Sequence, residues 1–201
     1  MNKISAQMVK ELRDKTGAGM MNCKRALENC NGNVNEAIQQ LRQKGLMIAD
    51  KKMSRATTEG LIESYIHPGS KLGVLLEINC ETDFVARRSE FQELAKNIAM
   101  QIAASPSIKF VSKEDIPESF IQEEKEIELG KTDLENKPQD IKLKIIEGRI
   151  DKRLSELSLM DQNFIRDNTI SVKELIQNNI ALLGENIKVS RFERFTLGES
   201  L

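Results

Sequence analysis

Hydrophobic positions near the start of the chain recur at helical spacing. Ile4 and Val9 can form a hydrophobic staple around Ser5, opening a first helix whose apolar face carries Met8, Val9 and Leu12 and which stops at Gly17. A second helix is predicted from about Met20 to Cys30, where Asn31-Gly32 breaks it. Asn33 with Glu36 then makes a capping pair for a third helix bearing Val34, Ala37, Ile38 and Leu41 and ending at Lys44-Gly45. Such a three-helix bundle has little core, so its surface suits docking better than chemistry.

The pattern changes after Asp50-Lys51-Lys52-Met53-Ser54-Arg55, which carries no clear apolar stripe and reads as a linker or an exposed helix. Gly60-Leu61-Ile62-Glu63-Ser64-Tyr65-Ile66 and Leu72-Gly73-Val74-Leu75-Leu76-Glu77-Ile78, separated by the turn-like Pro68-Gly69-Ser70, predict an antiparallel hairpin. Its second strand is nearly continuous in apolar residues and reads as largely buried. Ser89-Glu90-Phe91-Gln92 resembles a capping box opening a helix with Phe91, Leu94, Ala95, Ile98, Ala99 and Ile102 on one face. A helix capped by Ser171 with Glu174 and closed by Gly184 leads into a third strand, Ile187 to Leu197. Three antiparallel strands backed by helices make an α+β domain.

Between these elements, Pro117 to Leu129 and Pro138 to about Ser158 are charged helical stretches separated by Gly130-Lys131-Thr132-Asp133. Ile141, Ile145, Ile150, Leu154 and Leu157 fall at near-heptad spacing, which predicts a projecting helical hairpin. The expected division is a three-helix docking domain over 1–47, a linker over 48–58, and an α+β core over 59–201 that includes the hairpin at about 117–158. A tethered anchor beside a second contact raises that contact's effective concentration.

The junction Asn79-Cys80-Glu81-Thr82-Asp83-Phe84-Val85-Ala86-Arg87 is the most informative segment for function. It must turn a corner between strand and helix at the rim of the sheet, where rigid elements hold a short loop that can present side chains to a partner. Local chemistry leaves two readings open. Thr82 or Asp83 caps the helix and Phe84 folds into the core, or the acid and the aromatic are offered outward.

Composition narrows the function classes. The chain has 201 residues, 39% hydrophobic and 30% charged, enough for one ordinary core and a small satellite. No apolar run approaches the roughly 20 residues needed to span a bilayer. No N-terminal stretch reads as a secretory signal, and a helix beginning within the first residues leaves no room for a transit peptide; for an organellar protein, synthesis inside the organelle is the expectation. Cys23, Cys30 and Cys80 form no CxxC pair and the only histidine is His67, poor material for a zinc site or a Cys/His nucleophile. Gly17-Ala18-Gly19 follows a helix rather than a strand, so no phosphate-binding loop is expected, and no cofactor.

The net charge of −1 conceals an asymmetry. Through Arg55 there are eleven Lys and Arg against five Asp and Glu, whereas Lys113 to Asp161 holds nine basic and fourteen acidic residues. A basic bundle fits an acidic protein surface or a nucleic acid; aromatics are only 4% of the chain and none lies in the basic region to stack on bases, which favours protein. An RNA-associated scaffold would use the basic bundle and the charged hairpin without Phe84, and an enzyme would need converging carboxylates that no spacing here provides.

Leu12-Arg13-Asp14-Lys15-Thr16-Gly17-Ala18-Gly19-Met20-Met21-Asn22-Cys23-Lys24-Arg25-Ala26-Leu27 and Thr82-Asp83-Phe84-Val85 in its setting resemble the two signatures of the elongation factor Ts family. The similarity continues through Glu147-Gly148-Arg149 and Ile180 to Ile187, and so covers essentially the whole chain. The resemblance implies a guanine-nucleotide exchange factor rather than an enzyme, with elongation factor Tu as partner. It also implies a ubiquitin-associated-like bundle that docks through Leu12, Met20 and Met21. The segment Thr82, Asp83, Phe84 and Val85 would reach the partner near its magnesium site, Phe84 as a wedge and Asp83 on polar groups that organise the metal and phosphates. The chain is similar to the short form with a single core half. The uncovered sheet of that form predicts a homodimer. The resemblance places the protein in a bacterial cytoplasm or a plastid stroma, with no membrane and no direct nucleic-acid contact expected.

Overall fold

The computed structural model describes residues 4–131 and 138–199. Helices α1 (Ala6–Thr16), α2 (Met20–Asn29) and α3 (Val34–Lys52) open the chain. Ser5 Oγ accepts from Met8 N–H at the start of α1, and Gly17 closes it at φ 66°, a left-handed conformation suited to glycine. Asn33 Oδ1 accepts from the amides of Asn35 and Glu36 and so starts α3. Val9, Leu12, Cys23, Ala26, Leu27, Ala37 and Leu41 form the small core of this bundle.

Helix α3 does not end at Lys44-Gly45 but runs on to Lys52. Gly45 is there for close approach, since a Cβ at that position would lie 3.3 Å from Ala181 Cβ. Arg42 Nη2 donates to Glu174 Oε1 at 2.6 Å, and Ala49 is buried in the main core rather than in the bundle. The linker expected at 48–58 is therefore helical over its first five residues, and the bundle is joined to the core by a packed helix.

The main sheet has the order β1-β2-β5, antiparallel throughout, from β1 (Glu59–Ile66), β2 (Leu72–Cys80) and β5 (Ile187–Thr196). The β1–β2 turn uses Gly69 at φ 95° and Ser70 at φ 55°. Val74, Leu76, Ile78 and Cys80 of β2 point inward, whereas Leu75 between them is 47% exposed. The strand read as largely buried is thus buried on one face only. That face packs on α5 (Ser89–Ala104), through Phe91, Leu94, Ala95, Ile98, Ala99 and Ile102, and on α8 (Val172–Leu183). The expected capping box at Ser89 is absent. Arg88 occupies the N-cap position, and Ser89, already inside the helix, bonds to the side chain of Glu90. The box at Ser171 and Glu174 does form, and Gly184 ends α8 at φ 81°.

After a short 3-10 turn, Lys113–Asp115, come α6 (Glu118–Leu129) and α7 (Gln139–Leu157). They share a small cluster of Ile146 and Ile150 with Ile121, Ile145 and Leu154, separate from the main core. Ile141, expected on that stripe, is half-exposed, whereas Ile146, not expected there, is buried in the cluster. The Thr132-Asp133 part of the expected connection lies outside the described residues. A two-stranded ribbon, β3 (Asn163–Phe164) with β4 (Asp167–Ser171), has no clear sequence signal. Its support is the buried Gln101, which donates to Asn163 O and accepts from Ile165 N–H.

Candidate functional site

Strand β2 delivers the chain to the rim of the sheet at Cys80, and the four-residue helix α4 (Asp83–Ala86) turns it into α5. The Cys80 thiol donates back to Thr82 O at 3.1 Å. Burial, followed by the nearby Glu185 carboxylate, pushes this thiol up to about 11, so at neutral pH it is a small apolar filler under the corner. Val85, 6% exposed, and Ala86 insert into the main core beneath α4.

Phe84 points the other way. It is 78% exposed, although its neighbour Val85 is buried. A helical turn sends successive side chains about 100° apart, so anchoring Val85 inward directs Phe84 outward. Asp83 forms an ion pair with Arg87 one turn on, at 2.8 Å, in a largely exposed position where such a pair contributes little to stability. The acid and the aromatic therefore stand side by side on a short, supported turn.

Polar contacts on the inner side hold that turn in place. Thr82 donates from its backbone N–H to Glu185 Oε2 at 2.9 Å and from its hydroxyl to Glu185 Oε1 at 2.6 Å. Asn186 N–H donates to Glu81 Oε1 at 2.7 Å, and Arg55 Nη1 reaches Glu81 Oε2 at 3.3 Å. These contacts, the Asn186 amide foremost, hold the Glu81 carboxyl below the usual glutamate range. The 4% exposed Asn186 side chain also donates to Met53 O and Arg55 O. The turn after α8 thus braces both the corner and the segment leaving α3. No local pattern marked Glu185 and Asn186 as site residues; their only signal is their place in the segment from Ile180 to Ile187 that carries the family resemblance.

The residues expected to dock divide sharply. Met20 and Met21 on α2 are 44% and 58% exposed and available to a partner. Leu12 is 0% exposed, in the bundle core where the three helices close around it. Val85 is likewise buried. Among the described residues no group of His, Cys, Asp and Glu could hold a metal ion, and no helix is long and apolar enough to cross a membrane.

Comparison with known proteins shows the family. The family model for elongation factor Ts matches residues 1–199. The chain is 67% identical to the chloroplastic elongation factor Ts of Rhodomonas salina, over 99% of this chain and 91% of that protein. It is 59% identical to the elongation factor Ts of Rippkaea orientalis, over all of this chain and 81% of the relative. With both signature segments in place and the match running almost end to end, the chain belongs to the elongation factor Ts family.

Proposed function

We propose that the protein is a guanine-nucleotide exchange factor for elongation factor Tu, acting by contact and not by covalent chemistry. The observation that carries this reading is the exposed Phe84 on a turn whose neighbours are held from below. A GTPase holds GDP through phosphate contacts assisted by magnesium, so disturbing the groups that position the ion loosens the nucleotide. Phe84 enters an apolar gap of the partner, and Asp83, exchanging its exposed bond to Arg87, engages polar groups near the metal. By linkage, a factor that prefers the empty GTPase weakens GDP as much as GDP weakens the factor.

Met20 and Met21 form the docking contact. The three-helix bundle is the docking domain, and α3 fixes its spacing from the corner. The setting is a bacterial cytoplasm or a plastid stroma, as for the chloroplastic relative. The chain works as a homodimer through the outer face of its sheet, where Ile62, Ile66, Leu75 and Phe195 stand exposed with Leu197 just beyond. Light scattering after size-exclusion chromatography would find two copies at micromolar concentration, and a monomer there would count against the dimer.

The central test is release of fluorescent GDP from elongation factor Tu by catalytic amounts of this protein. Acceleration by the wild type, largely lost in folded Phe84→Ala and Asp83→Ala, is the expected result. Undiminished exchange by both variants would remove the assigned roles, and salt-sensitive RNA binding without exchange would favour a scaffold.

A further inference from the structure

Thr82 occupies the N-cap position of α4, where a threonine hydroxyl ordinarily accepts from the first amides of the helix. Here the hydroxyl makes no such bond. It donates instead to Glu185, 103 residues away in sequence, and the Thr82 amide donates to the other oxygen of the same carboxylate. Charge-assisted bonds of this kind are among the stronger polar contacts in proteins. The corner thus gives up local helix capping for a two-point grip from the turn after α8.

We propose that Glu185 is a positioning residue for nucleotide release, holding the backbone at Thr82 so that Phe84 meets the GTPase in one orientation. This rests on the exchange reading above and assigns a role to a residue outside the exposed corner. Phe84 has little packing of its own, so its direction is set by the backbone on either side. Burial of Val85 and Ala86 fixes the far side, and Glu185 fixes the near side. A wedge opens a partner's apolar gap only if recoil costs more than the opening, and loss of one anchor lets Phe84 swing back. Docking through Met20 and Met21 does not depend on this bond. Glu185 therefore acts on the maximal rate of exchange and not on apparent affinity.

The experiment measures GDP release from elongation factor Tu over a range of factor concentrations for the wild type, Glu185→Ala, Glu185→Gln and Thr82→Val, each first checked for cooperative thermal unfolding. Glu185→Ala is expected to lower the saturating rate about tenfold with little change in half-saturating concentration. Glu185→Gln, which keeps an acceptor for the Thr82 amide, is expected to recover most of the rate. Thr82→Val removes only the hydroxyl bond and should cost about threefold, without further loss when combined with Glu185→Ala beyond that of the alanine variant alone. Thr82 amide hydrogen exchange should speed up in Glu185→Ala and stay protected in Glu185→Gln. An unchanged saturating rate in folded Glu185→Ala, or a loss confined to apparent affinity, would overturn the proposal while leaving the exchange reading intact. Failure of the wild type to accelerate release would instead overturn the exchange reading, and this role with it.

Discussion

The corner at 80–87 and the three-helix bundle both offer apolar side chains to solvent, but they hold them by different means. In the bundle, Met20 and Met21 ride on a helix whose other face is buried through Cys23, Ala26 and Leu27. Hydrophobic burial keeps the surface in shape. In the corner, a helix of four residues is too short to support itself, and Phe84 is held by Val85 below and by polar clamps from Glu185 and Asn186. A docking surface tolerates some play, because flexible methionines can adapt to a partner. On the proposed reading Phe84 is a wedge, which does not, and the directional bonds at the corner supply its aim.

The contrast can be tested first in the bundle core. Leu12→Ala should destabilise the bundle by about 2–5 kcal/mol, as large-to-small changes in fully buried sites do. Denaturant melts followed by amide hydrogen exchange in α1 and α2 would register it. If that variant docks normally and keeps full protection, the bundle does not depend on its core. Phe84→Ala is the converse case. Stability should change by less than about 0.5 kcal/mol because the ring is exposed, whereas the saturating exchange rate should fall by a hot-spot cost of about 2 kcal/mol or more. A large drop in melting temperature would mean that the ring packs on its own protein in solution.

Replacing Met20 and Met21 together by alanine should raise the half-saturating factor concentration by about fivefold, roughly 1 kcal/mol, and leave the saturating rate alone. A fall in rate without a change in affinity would erase the division between anchor and wedge. The smallest effect concerns pH. The Glu81 carboxyl is held below its ordinary value of 4.5, chiefly by the Asn186 amide, so its contribution is present above that value and fades as pH falls through the lower folded-state range. Glu81→Gln should flatten the acid side of the stability profile below pH 4.5. An unaltered profile would show that the Glu81 clamp contributes no pH-dependent stability.

Much of the architecture is legible in the sequence. The helix start at Ser5, the pair Asn33 and Glu36, the box at Ser171 and Glu174, and the stops at Gly17 and Gly184 are local signals, and all of them form. The third strand began at Ile187 as its pattern implied. Gly45 misled because glycine serves both as a helix stop and as a contact for a neighbouring helix, and only the second use applies at Ala181. Ser89 misled because a capping motif works only if the chain enters the helix at that residue, and here it enters one residue earlier.

By itself, then, the sequence determined most of the elements, the family and the segment to watch, because caps, periodicity and signature residues act over a few positions. Only the tertiary structure decided which of the singled-out side chains face out. Leu12 and Val85 went inward and Phe84, Met20 and Met21 outward, since burial depends on which elements close over a residue. The same holds for the grip of Glu185 on Thr82. Two polar residues 103 positions apart become partners only when β2 and the end of α8 meet at the same rim.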